Sequence, residues 1–272
     1  KQVFHNKGST VDQHGARQRT DAFEDFYEFT STGLKDFPLV EDPPVDIATD
    51  LDSLAARLTS LMPSAALSVR AGCSLATRNE LDAAKGRATQ IRRLMVGTQE
   101  ELDWRCYRLY ALLPTGMGVE DLEHKTPVEV ELGERAFEIV LARRMAAGKD
   151  DTTWFNRHGS TPTTEIPTRW PETYRRVVAR RIELIERDKS IGLIERPEFK
   201  RRWNLPKWDD LEQTALRDWL LARLESKALW PASPEQPALI TTTSRLADTL
   251  QRDAEFMQIA ALYAGHADFD VS

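Results

Sequence analysis

Apolar residues that recur every three or four positions constrain this chain more than any other feature. Ile47, Leu51, Leu54, Leu58 and Leu61 form one such stripe, and Pro63 ends it. A longer one spans 75–113, with Leu81, Ala84, Ala88, Ile91, Leu102, Leu109 and Leu113 as its buried face. Gly86 and Gly97 each weaken that helix by about 1 kcal/mol relative to alanine. Two long helices joined by a short break predict an antiparallel hairpin. Further helices are expected over 133–147 and 172–188, from Asp209 onward, and near 243–251 and 253–263. Strand signals are sparse. Val128-Glu129-Val130 is the clearest, and the aromatic cluster Phe23, Phe26, Tyr27 and Phe29 reads as a short strand or helix. Residues 150–171 read as a long loop and 189–207 as irregular. The expected fold class is mainly α: a helical hairpin and bundle with long loops and minor β near the N-terminus. Its parts are 1–45, 46–150 and 151–272.

Composition narrows the function classes. With 272 residues, 41% hydrophobic and 29% charged, the chain has enough apolar material for one large core or two modest ones. No apolar run approaches the roughly 18 residues that span a bilayer, and no charged-then-apolar signal pattern opens it, so no membrane partner is expected. Cys73 and Cys106 are too far apart for a local zinc motif or a disulfide framework, which favours a reducing, cytoplasmic setting. Lys1 runs into Gln2-Val3-Phe4 as though within an element, the expectation being a segment of a longer protein.

The net charge of -6 hides segregation. Residues 1–20 hold four bases against one acid, 21–60 two against ten, and 141–207 sixteen against nine. Phosphate contact depends on local charge, so the basic stretches leave nucleic acid open as a partner.

Local motifs for chemistry fail one by one. Asp42-Pro43-Pro44-Val45 approaches the Asp/Asn-Pro-Pro-aromatic loop of amino-group DNA methyltransferases, but valine offers no face for a flipped base to stack on. Gly116-Met117-Gly118 follows a helical pattern where a cofactor loop needs a strand. The five histidines never fall at metal-ligand spacing. Arg175, Arg176, Arg180 and Arg181 read as a solvated basic stripe. Three segments carry groups suited to phosphates or base edges. They are His5, Asn6 and Lys7 with Arg17 and Arg19; Asn156, Arg157, His158, Ser160 and Thr161; and Lys200, Arg201 and Arg202 beside Trp203, where Arg–Trp stacking within the fold competes.

Longer strings go further. His5-Asn6-Lys7-Gly8-Ser9-Thr10-Val11-Asp12, Gln99-Glu100-Glu101-Leu102-Asp103-Trp104, Phe155-Asn156-Arg157-His158-Gly159-Ser160-Thr161-Pro162 and Ile194-Glu195-Arg196-Pro197-Glu198-Phe199-Lys200-Arg201-Arg202-Trp203-Asn204 resemble the phage growth limitation (PglX) methyltransferase family of type 2 BREX phage-defence systems. The likeness covers essentially the whole chain, weakest at 40–98 and 228–240. It implies an adenine-specific DNA methyltransferase that uses S-adenosylmethionine. The family's cofactor and Asn-Pro-Pro-aromatic loops belong to a Rossmann-like domain expected before Lys1, so no catalytic or cofactor residue carries over. The expectation is a non-catalytic part that holds double-stranded DNA through the three segments above. The alternative is a helical docking platform for other BREX proteins or phage-encoded inhibitors.

Overall fold

The structure, a computed structural model, describes residues 2–5, 25–28, 31, 35–68, 76–114, 116, 118–203, 206–227, 229, 230, 242–266 and 268. The chain divides into two compact units, Lys1–Pro43 and Pro44–Ser272. In the first, β1 (Gln2–His5) pairs antiparallel with β2 (Asp25–Glu28), His5 opposite Asp25 and Gln2 opposite Glu28. The aromatic cluster is thus strand, as its β-favouring composition allows. Asn6, Lys7, Arg17 and Arg19 lie outside the described residues.

The second unit is helical, so the fold is mainly α. Its first element, α1 (Val45–Leu61), is followed by the short α2 (Pro63–Ala66) and the 32-residue α3 (Arg78–Leu109). The expected hairpin forms. Arg105, near the end of α3, donates two bonds of 2.9 and 2.7 Å to Asp46 at the start of α1, which fixes the antiparallel sense. No residue of α1 is fully buried; Leu51, Leu54, Leu58 and Leu61 lie half-buried against the interior. α3 begins at a capping box: the Thr77 hydroxyl accepts from the Glu80 N–H, while the Glu80 carboxylate accepts from the Thr77 N–H at 2.7 Å.

At roughly 48 Å long, α3 is the spine for two interiors. Its C-terminal half, with Ile91, Val96 and Trp104, faces α5 (Ala136–Ala146), α6 (Trp154–His158) and α7 (Glu172–Arg187). Phe137, Ile139, Trp154, Trp170 and Ile182 complete that core, so residues before and after position 150 share one interior. The short α4 (Val119–Leu122) adds the buried Leu122. At the other end of the spine, Leu81 packs with Leu216 of α9 (Trp208–Leu224) and Ile259 of α11 (Ala254–Ala264). α10 (Thr243–Leu250) adds Leu250 beside Phe256. Ion pairs tie α3 to α9: Arg78 grips Glu212 at 2.6 and 2.8 Å, and Lys85 meets Asp209 at 2.7 Å.

Three expectations need correction. Val128–Val130 is extended but pairs with no strand; the Val130 N–H donates to the Arg93 carbonyl of α3 at 3.1 Å. The 150–171 stretch contains α6. The 189–207 stretch contains α8 (Lys189–Ile194) and a 3-10 turn over Pro197–Phe199. Asp188 sets α8, its carboxylate accepting from the Ser190 and Ile191 N–H groups at 2.8 and 2.9 Å.

Candidate nucleic-acid interface

Buried charge builds the wall of one cleft. Glu138, on α5, has no solvent exposure and acts as a hub. It accepts from Arg135 at 2.8 and 3.0 Å, from the Gly133 N–H at 2.7 Å and from the Trp154 indole at 2.9 Å. Burial pushes its carboxyl pKa up, but Arg135 and the other donors outweigh that and hold it below the ordinary value. Arg135 also donates to the Arg201 carbonyl at 3.0 Å. One buried pair therefore pins both α6 and the 200–203 segment.

A second cluster anchors that segment to the spine. The Lys200 ammonium lies 2.7 Å from Asp103, 2.8 Å from Glu195 and 3.7 Å from Glu100. Burial alone would lower its pKa; the three carboxylates raise it well above the ordinary lysine value. Lys200 is buried, so the expected phosphate contact has no surface to act from, and its charge serves the interior. Arg201 is exposed and stacks its guanidinium 4.8 Å from the Trp203 ring, the competing reading in the sequence. Arg92 donates to the Trp203 carbonyl and closes the turn from α3.

These supports shape a cleft of about 620 Å³. Two of the expected segments meet there, since Arg157 and His158 of α6 line it together with Arg202. His158 stacks on Trp154 at 3.9 Å, with Nδ1 2.7 Å from the Trp154 carbonyl. Gly159, at φ +59°, ends α6; the Gly159 and Ser160 N–H groups donate to the Asn156 and Phe155 carbonyls in a Schellman closure. Asn156 and Thr161 are exposed and Ser160 half-buried, outside the cleft lining. Spacing gave no sign of Arg144 and Arg196, which also line the cleft. Arg196 sits inside the string Ile194 to Asn204, and Arg144 within the basic excess of 141–207.

The supposed basic stripe of α7 divides. Arg175 and Arg180 pair with Glu172 and Glu183 at the surface. Arg181 is fully buried on Glu101 and the Leu122 carbonyl. Another opening of about 760 Å³ adjoins that helix, with Arg176 and Lys125 among its lining residues.

The residues do not fit S-adenosylmethionine at either sequence candidate. Val45 of the Pro-Pro string begins α1 and is exposed, and Gly116, at φ +92°, follows the end of α3 rather than a strand. Among the described residues no cluster of three His, Cys, Asp or Glu groups could hold a metal, and no helix is long and apolar enough to cross a membrane.

The chain is 45% identical over 258 residues to the adenine-specific methyltransferase PglX of Streptomyces coelicolor. That match covers 94% of this chain and 21% of the relative, so the chain spans about a fifth of the length of the curated protein it matches. No solved structure matches. Residues 95–272, which carry the spine's second half and the whole cleft, match a family described as a domain of unknown function (DUF7008), and the chain belongs to that family.

Proposed function

We propose that this chain is a non-catalytic, DNA-holding part of an adenine-specific DNA methyltransferase of a BREX-type phage-defence system. S-adenosylmethionine is bound outside these residues, and the protein works in the cytoplasm. The likeness to PglX supplies the reaction class. The observation that carries the role is the convergence of Arg157 and Arg202, 45 positions apart in sequence, on one cleft whose walls are fixed by buried ion pairs. Base flipping needs a rigid surface that holds the duplex while a nucleotide leaves the stack. Guanidinium groups on a preset wall serve that need, because little side-chain freedom is left to lose on binding. His5, Asn6, Lys7, Arg17 and Arg19 extend the proposed contact, as do Asn156, Ser160, Thr161 and Arg201; Lys200 does not.

The test is double-stranded DNA binding across a salt series. Arg157→Ala with Arg202→Ala weakens affinity and reduces the slope of log K against log salt by about 0.9 for each phosphate no longer neutralised. Unchanged affinity and slope reject the reading.

A second reading, a docking surface for other BREX proteins or phage-encoded inhibitors, draws on Phe37 and Leu39 in the acidic 21–60 stretch, which are 56% and 88% exposed. Phe37→Ser with Leu39→Ser then abolishes partner capture and leaves DNA affinity unchanged.

A further inference from the structure

Four guanidinium groups around the cleft stand without partners among the described residues. Arg144, Arg157, Arg196 and Arg202 line it, and none of their side chains makes a hydrogen bond or ion pair there. Neighbouring arginines are engaged: Arg135 on Glu138, Arg143 on the Thr164 carbonyl, Arg169 on Glu134 and Arg187 on Glu183. Free guanidinium forks over a concave surface select a phosphate, whose oxygens match their planar geometry.

Phosphate alone leaves most of the cleft unused. Asp150, Asp151 and Glu198 stand on the same walls, also without partners among the described residues, and would repel a bare anion. The remaining wall is apolar, with Phe137, Val140, Leu141, Trp154 and Ile185, and suits a flat hydrophobic body. Two lining residues keep a buried acceptor that meets no donor, Glu195 at Oε2 and His158 at Nε2. The Trp154 carbonyl only accepts, so Nδ1 of His158 carries the hydrogen and Nε2 of the neutral ring presents its lone pair. A buried acceptor left unmet costs about 1–3 kcal/mol, which an N–H donor on a ligand relieves.

An oxyanion, a flat apolar ring and N–H donors occur together in a nucleotide. We infer that the cleft binds a nucleotide with an exocyclic amine, its phosphate on the arginines and its base along the Trp154 wall, with the amine meeting His158 and Glu195. The volume of about 620 Å³ is in the range of small-molecule sites, about 300–1,000 Å³. The nucleotide is either free or an unstacked member of a DNA strand; only the second form rests on the DNA-holding reading.

Calorimetry of the 272-residue chain with adenosine monophosphate, uridine monophosphate and inorganic phosphate tests this. The adenosine nucleotide binds about ten-fold tighter than the other two, because only it brings an amine. Arg157→Ala with Arg202→Ala, both at exposed positions, lowers that affinity by about ten-fold. His158→Phe keeps a ring against Trp154 and brings the adenosine-to-uridine preference to about one; a melting curve beside each variant confirms folding. In competition, selective displacement of the nucleotide by a duplex with one unpaired adenine assigns the site to DNA. Displacement by neither that duplex nor a fully paired one assigns it to free nucleotide. Equal affinity for all three probes, or no adenosine nucleotide binding by the folded chain, overturns the inference. Salt-dependent duplex binding that persists in either case leaves the DNA-holding reading intact.

Discussion

Arg181 shows how one residue's position overrides its chemical type. Counted with Arg175, Arg176 and Arg180 it belongs to a basic stripe. Counted along the apolar rows of its helix, it falls in register with Tyr174, Val177, Val178 and Ile185, all buried. The interior accepts it because its guanidinium meets Glu101 at 2.8 Å and the Leu122 carbonyl at 2.9 and 2.7 Å. Removing one partner strands the other charge. Arg181→Ala therefore costs about 3–5 kcal/mol, whereas Arg180→Ala, on the exposed face, costs less than about 1 kcal/mol. Urea unfolding of the two variants measures both, and equal small losses would contradict the buried pair. The register of Arg181 was legible in the sequence. Its partner was not, since Glu101 lies 80 positions away and only the packing of α7 on α3 joins them. Lys200 is the same case: its carboxylates come from α3 and from Glu195, and a run of three basic residues conceals them.

At the scale of the element, α3 carries two glycines that propensity treats alike. The structure separates them. A Cβ on Gly86 would meet nothing within 4 Å, whereas one on Gly97 would lie 2.1 Å from the Val128 carbonyl oxygen. Gly97 thus lets the extended 128–130 segment lie directly on the helix, which is why those valines look like a strand yet pair with none. Gly86→Ala raises stability by about 0.5–1 kcal/mol through helix propensity alone. Gly97→Ala lowers it by about 1–3 kcal/mol, because backbone must move. Thermal melts of the two variants shift in opposite directions, and a shared sign would refute the close approach. The helices themselves were readable from apolar spacing and caps: Pro63, Thr77 with Glu80, and Pro171 all stand at helix boundaries. What spacing could not supply was the short α6, held by Trp154 and Phe155 in the core rather than by any period. The meeting of α6 with the 200–203 segment was equally hidden.

For the whole molecule, the balance of buried charge sets how stability follows pH. Glu100, Asp103 and Glu195 share the one Lys200 ammonium, and Glu100 Oε2 meets no donor. Burial first, and then the neighbouring carboxylates, push the Glu100 pKa up to about 7 against the pull of Lys200. An acid with a raised folded-state pKa binds its proton more tightly when folded. Stability therefore increases as pH falls from about 7 toward its ordinary value of 4.5, by up to roughly 1.4 kcal/mol per pH unit. Glu138 acts in the opposite sense. Its pKa is held low, so the stability it contributes is full above the unfolded-state value and is lost as pH falls through the folded one. The two together predict greatest stability near pH 5, with decline on both sides. Glu100→Gln removes the alkaline limb: the variant gains on the wild type above pH 7 and its profile flattens between 5 and 7. Urea unfolding at pH 4, 5, 6, 7 and 8 reads both effects. A wild-type profile that climbs steadily from 5 to 8 would mean that Glu100 is ionised in the folded protein across that range. The Lys200 cluster, and with it the anchoring of Arg201 and Arg202 beside the cleft, would then be held by three ionised carboxylates instead of two.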